Sequence, residues 1–86
     1  MTLDWANLVG LLGSALFIAA FAYANATAQF DKLWFNAANL LGAVLLLTSL
    51  WVHFNFAAFV LEVAWAAIAL IGLVQAIAAR RKRTRP

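Results

Sequence analysis

Cysteine is absent from this chain, so disulfides, thiolate metal ligands and thiol nucleophiles are all excluded. Proline occurs once, as Pro86, and interrupts no internal segment. The chain holds one histidine, His53, and three carboxylates, Asp4, Asp31 and Glu62. That is too small a ligand set for a protein-only metal site. No metal and no cofactor is expected. Charge is scarce as well. Charged side chains make up 10% of the residues, where a soluble domain uses about a quarter to cover its surface. No nucleophile–base pair stands out, so an enzyme is not expected.

What fills the chain is hydrocarbon. It is 67% hydrophobic over 86 residues, and a core that small could not hide so much apolar side chain from water. Lipid is the expected solvent. Three apolar stretches run over residues 5–24, 33–52 and 56–79. Each is near the roughly 20 residues that a helix needs to cross about 30 Å of hydrocarbon. The polar alternation of a barrel strand is missing. The expected fold is therefore all-α: an integral membrane three-helix bundle forming one domain over residues 1–86. A short polar loop, Asn25 to Lys32, joins the first two spans. Only His53-Phe54-Asn55 joins the last two, which predicts a tight antiparallel hairpin.

Five of the six basic residues, Arg80, Arg81, Lys82, Arg83 and Arg85, follow the third span directly. The sixth is Lys32, in the first loop. Basic loops favour the cytoplasmic side, and the N-terminus and the His53 loop carry no Lys or Arg. These positions agree on an N-out, C-in topology. The first span is preceded by Asp4 and by no positive charge, unlike a cleavable signal. Trp5 and Trp51 are expected at the outer interface, and Trp34 with Tyr23 at the inner one. The basic run at 80–86 reads as a membrane-anchoring tail. It is too short for nucleic acid to be an expected partner.

A few polar groups lie within the spans. Glu62 is about six residues, or some 9 Å, into the third. An ionised carboxylate there costs several kcal/mol unless it faces protein, water or a partner. Counting both ways from the hairpin puts Ser49 at a similar depth, with Thr48, Asn7 and Ser14 as further candidate partners. Two readings stay open: a hydrogen-bonded Glu that locks the bundle, or a proton- or ligand-responsive site. Asn39 lies in the inner half of the second span, out of reach of Glu62, with Tyr23 and Gln75 at a similar level. An interhelical amide hydrogen bond is its expected role; a ligand contact, shared with Glu62 and Ser49 as candidate site residues, is the alternative. His53 is expected to be a lone interfacial histidine.

Small residues mark helix contacts, because lipid supplies no hydrophobic drive between helices. The candidates are Ala6, Gly10 and Ser14 in span one, Ala38 and Gly42 in span two, and Ala69, Gly72 and Ala76 in span three. Glu62, Trp65, Ala69 and Gly72 share one helical face. Trp65 falls near mid-membrane and is expected to pack on the other spans. More small-residue surface is present than one bundle needs, which points to a homo-oligomer or docking on a larger membrane complex, with the bilayer as the general partner.

The run Asn39-Leu-Leu-Gly42-Ala43, then Ser49, His53-Phe54-Asn55, Phe59-Val-Leu-Glu62-Val-Ala-Trp65 and Gly72, resembles a family of small bacterial three-span membrane proteins carrying a CBU-type locus-tag name. Ala22-Tyr23 fits it too, and the resemblance covers residues 8–73. It implies a multi-pass topology and no particular activity; the expected location is the bacterial inner membrane. A looser similarity is to semi-SWEET half-transporters, which are dimers of three-span units around a midplane pocket. Their third-helix pocket asparagine would correspond to Glu62, twenty residues after Gly42. Their Pro-Gln hinge is absent here, and their pocket tryptophan would fall near Leu46. The function expected is non-catalytic helix–helix association. The alternative is a half-transporter or proton-coupled carrier using Glu62.

Overall fold

Helix is the only regular structure in this computed structural model, which describes residues 4–27 and 29–84. Helix α1 spans Trp5–Ala26, α2 spans Lys32–Val52 and α3 spans Phe56–Thr84. All three are long and apolar enough to cross a membrane. With no proline inside them, each helix can keep its backbone hydrogen bonds internal, as a hydrocarbon environment would require.

Short polar side chains start each helix. The Asp4 carboxylate accepts from the Asn7 N–H at 2.8 Å, and the Asp31 carboxylate accepts from the Leu33 N–H at 2.9 Å. The Asn55 side-chain oxygen accepts from the Ala58 N–H at 3.0 Å. Each satisfies a donor that the first helical turn would leave bare. At the far end of α2 the His53 N–H closes on the Ser49 carbonyl at 3.1 Å. The loop between α1 and α2 is shorter than the polar run at 25–32 suggests.

Helix α3 runs five residues past the apolar stretch at 56–79. Alanine, arginine and lysine are good helix formers, and Arg81, Lys82 and Arg83 stabilise the negative end of the helix dipole. The basic run is therefore helix through Thr84. Arg85 lies outside the described residues. With 29 residues, α3 is about 44 Å long, well over a bilayer's roughly 30 Å hydrocarbon core.

Packing follows chain order. Helix α2 lies against both α1 and α3, while α1 and α3 make no backbone approach to each other. The interior is built from small residues: Ala6, Gly10, Gly13 and Ala20 of α1, Gly42 and Ala43 of α2, and Ala69 of α3. Asn39 and Glu62 are the buried polar residues of the described chain. The isoleucines and many of the leucines and phenylalanines face outward, and no large side chain is fully buried among the described residues. That inversion suits hydrocarbon surroundings, where an exposed leucine costs nothing and tight backbone approach gains dispersion contacts.

The α1–α2 seam is the closest approach. A β-carbon built on Gly13 would lie 2.8 Å from the Gly42 carbonyl oxygen, and one on Gly42 would lie 2.7 Å from the Phe17 ring. Gly10 faces Ser49 in the same seam, at 2.8 Å from its hydroxyl by the same measure. On the other side of α2, Gly72 of α3 faces the Asn36 carboxamide, 2.5 Å from such a carbon.

Candidate functional site

Polar groups gather at three levels along the bundle. At the hairpin end, Asp4 does more than cap α1. Its second oxygen lies 3.0 Å from His53 Nε2. His53 is thus paired, rather than the lone histidine expected, and the contact becomes an ion pair when the imidazole is protonated. Because the chain runs up, down and up, the start of α1 and the α2–α3 turn meet at one end. The Asn7 N–H, ahead of the His53 contact, holds the Asp4 carboxyl below the ordinary carboxylate range, against a smaller opposing effect of burial. Trp5 and Trp51 are exposed at this end.

At mid-height Trp65 connects all three helices. Its indole N–H donates to the Asn39 side-chain oxygen at 2.9 Å. Asn39 in turn donates from Nδ2 to the Phe35 carbonyl one turn back, at 2.8 Å. Both ends of the amide are satisfied, which is what a buried amide requires. The indole ring packs on Phe17 at 5.4 Å and Phe21 at 5.6 Å between centroids, both from α1. These rings fill the gap between α1 and α3. Beneath them a cavity of about 240 Å³ remains, lined by Phe21, Phe35, Asn36, Asn39, Trp65, Ile68 and Ala69 and open to the surroundings. With Asn39 and Trp65 bonded to each other, its wall is apolar apart from Asn36.

Glu62 lies one turn from Trp65 toward the hairpin, on the inner face of α3. The residue is 8% exposed, and its Oε2 is buried with no hydrogen-bond partner among the described residues. Depth alone suggested Ser49 as its partner, but Ser49 is turned toward Gly10 on α1. The other candidates are occupied as well. Thr48 donates to the Val44 carbonyl at 2.8 Å and Ser14 to the Gly10 carbonyl at 3.0 Å, both within their own helices. Ser14 therefore contributes less to the α1 contact stripe than Gly13, one position earlier. Gln75 is exposed on α3. Glu62, Trp65, Ala69 and Gly72 do share one inward face, with Glu62 and Ala69 buried on it.

At the opposite end the α1–α2 loop meets the end of α3. Arg80 donates to Asp31 at 2.7 Å, so it ties α3 to the loop rather than only anchoring the chain. The Asp31 N–H donates to the Tyr23 hydroxyl at 2.7 Å. Burial works to raise the Asp31 carboxyl, but the Arg80 guanidinium and the Leu33 N–H together outweigh it and hold it below the ordinary range. Residue types at helix ends and the antiparallel order could have suggested both the Asp4–His53 and the Asp31–Arg80 pairs. Each links residues 49 apart in the chain. A cleft of about 490 Å³ opens here.

A sequence profile of a locus-tag-named family matches residues 6–81, nearly the whole chain. The chain belongs to that family. It is the CBU-type family that the Asn39-to-Trp65 signature resembles, and in this member the two signature residues Asn39 and Trp65 bond to each other. No curated protein and no solved structure matches, so the likeness to semi-SWEET half-transporters gains no support from the comparisons.

Proposed function

We propose that this is a non-catalytic, multi-pass protein of the bacterial inner membrane that acts by helix–helix association, as a homodimer. The observation that carries the reading is the unsealed side of the bundle. The backbones of α1 and α3 do not approach each other; the Trp65, Phe17 and Phe21 rings bridge them, and the cavity beneath those rings stays open. Its occupant in a dimer is an apolar helix face of a second copy. The exposed α3 surface around Ile68 is continuous with the cavity wall and supplies such a face. A small-residue interior with no large buried side chain favours completion by a neighbouring chain. An N-out, C-in orientation is supported by Lys32 and the α3 arginines lying at one end, joined there by Asp31 and Arg80.

Disulfide trapping in native membranes tests the dimer. Ile68→Cys on the cavity wall should give a covalent dimer, while Val44→Cys, exposed on α2, should stay monomeric. A monomer by light scattering in mild detergent, with no trapped dimer from Ile68→Cys, would remove the reading.

The unpartnered Glu62 oxygen favours a second reading, in which a dimer carries a small solute coupled to a proton or cation at Glu62. In that case Glu62→Gln abolishes flux in proteoliposomes and leaves dimer yield unchanged. Unaltered flux, or none in the parent protein, excludes it.

A further inference from the structure

The cleft at the Asp31 end has a composition that membrane anchoring alone does not require. Tyr23, Gln29, Asp31, Lys32, Arg80 and Arg83 line it, over a floor of Leu33, Ala76 and Ala79. Three cations thus face one carboxylate. Both oxygens of that carboxylate are already engaged, one by the Leu33 N–H and the other by Arg80. Lys32 and Arg83 remain outside that pair. The Tyr23 hydroxyl accepts from the Asp31 N–H, which leaves its own proton free to donate into the cleft.

The arginine-rich end of α3 is also divided by face. Arg80 and Arg83, three residues apart, turn with Ala76 toward the loop. Arg81 and Lys82 lie on the other side of the helix, beside Val74, Ile77 and Ala78. General attraction to an anionic surface would be indifferent to this division, since it depends on charge number and distance. A built anion site would not be indifferent. On the membrane topology proposed above, this cleft lies just beyond the apolar spans, at the level of lipid phosphates.

We infer that the cleft between the α1–α2 loop and the end of α3 binds a phosphate-bearing anion, held by Lys32, Arg83 and the Tyr23 hydroxyl. The Asp31–Arg80 pair fixes the walls. The phosphate comes either from a phospholipid headgroup, with its glycerol against the apolar floor, or from a soluble phosphate ester.

Native mass spectrometry of the full chain, released from nanodiscs of phosphatidylcholine with phosphatidylglycerol, reads the lipid arm. One phosphatidylglycerol should be retained. Lys32→Gln with Arg83→Gln should lower retention about tenfold or more, and Arg81→Gln with Lys82→Gln, the same charge change, should alter it less than about twofold. Thermal melting in pure phosphatidylcholine nanodiscs, with inorganic phosphate or glycerol 3-phosphate added, reads the soluble arm. Protection that the first variant pair abolishes identifies a soluble ester as ligand. A photoreactive phosphatidylglycerol headgroup on the unaltered chain supplies a test free of any folding defect. Its labels should fall on residues 23–33 and 80–83. Equal losses from the two variant pairs, labels spread along the arginine face, or no effect in either arm would overturn the site.

Discussion

The indole N–H of Trp65 reaches the side-chain oxygen of Asn39 at 2.9 Å, joining α3 to α2 at mid-height of the bundle. The same indole packs on Phe17 and Phe21 of α1. One side chain therefore touches both of the other helices.

A double-mutant cycle measures that bond. Trp65→Phe keeps a ring against Phe17 and Phe21 but strands the Asn39 oxygen. It should destabilise by about 1–3 kcal/mol. Asn39→Leu strands the Trp65 indole N–H in turn, and the coupling between the two changes should be about 1 kcal/mol. Reversible unfolding in mixed micelles gives both values. Strict additivity would show that the hydrogen bond contributes nothing.

Gly13 and Gly10 should respond unequally to one added methyl. At Gly13 the new carbon meets the backbone oxygen of Gly42, which cannot move without shifting α2. Gly13→Ala should cost about 1–3 kcal/mol. At Gly10 it meets the Ser49 hydroxyl, which can rotate away, so Gly10→Ala should cost less. The same unfolding assay ranks them, and the reverse order would place the α1–α2 seam elsewhere.

Glu62 should be dispensable for stability. Its buried Oε2 has no hydrogen-bond partner among the described residues, so Glu62→Met removes a desolvated polar atom. Melting temperature should stay level or rise. A marked fall would mean that the carboxyl has a partner in the assembled protein.

Acid should loosen both ends of the bundle. The Asp4 and Asp31 carboxyls are held below their ordinary range in the folded chain. Their contribution to stability is complete above the unfolded value of about 3.9 and is lost as pH falls through the lower folded values. Melting temperature should drop across that window, and Asp4→Asn with Asp31→Asn should flatten the drop. His53→Gln should remove only part of the Asp4 share, because the Asn7 N–H is the larger cause.

The three helices are legible in the sequence because hydropathy and length fix them with no knowledge of packing. The inward face of α3 is legible too, since Glu62, Trp65, Ala69 and Gly72 follow helical spacing. Rotation of α2 is not legible. Counting from the hairpin gives the height of Ser49 but not its direction, and Ser49 faces Gly10 rather than Glu62. Ser14 and Gly13 compete for one stripe, since spacings of three and four both fit a helix face. The serine hydroxyl settles the matter locally by bonding back to the Gly10 carbonyl. The basic run reads as an anchor until its helical phase is known. Only then do Arg80 and Arg83 separate from Arg81 and Lys82.

Helix α2 is the sole backbone neighbour of both other helices, so each interface joins spans that are consecutive in the chain. On the membrane topology proposed above, the glycine seam can form as soon as the second helix enters the bilayer. The third span then docks on a finished surface, and no earlier pair has to be prised apart to admit it.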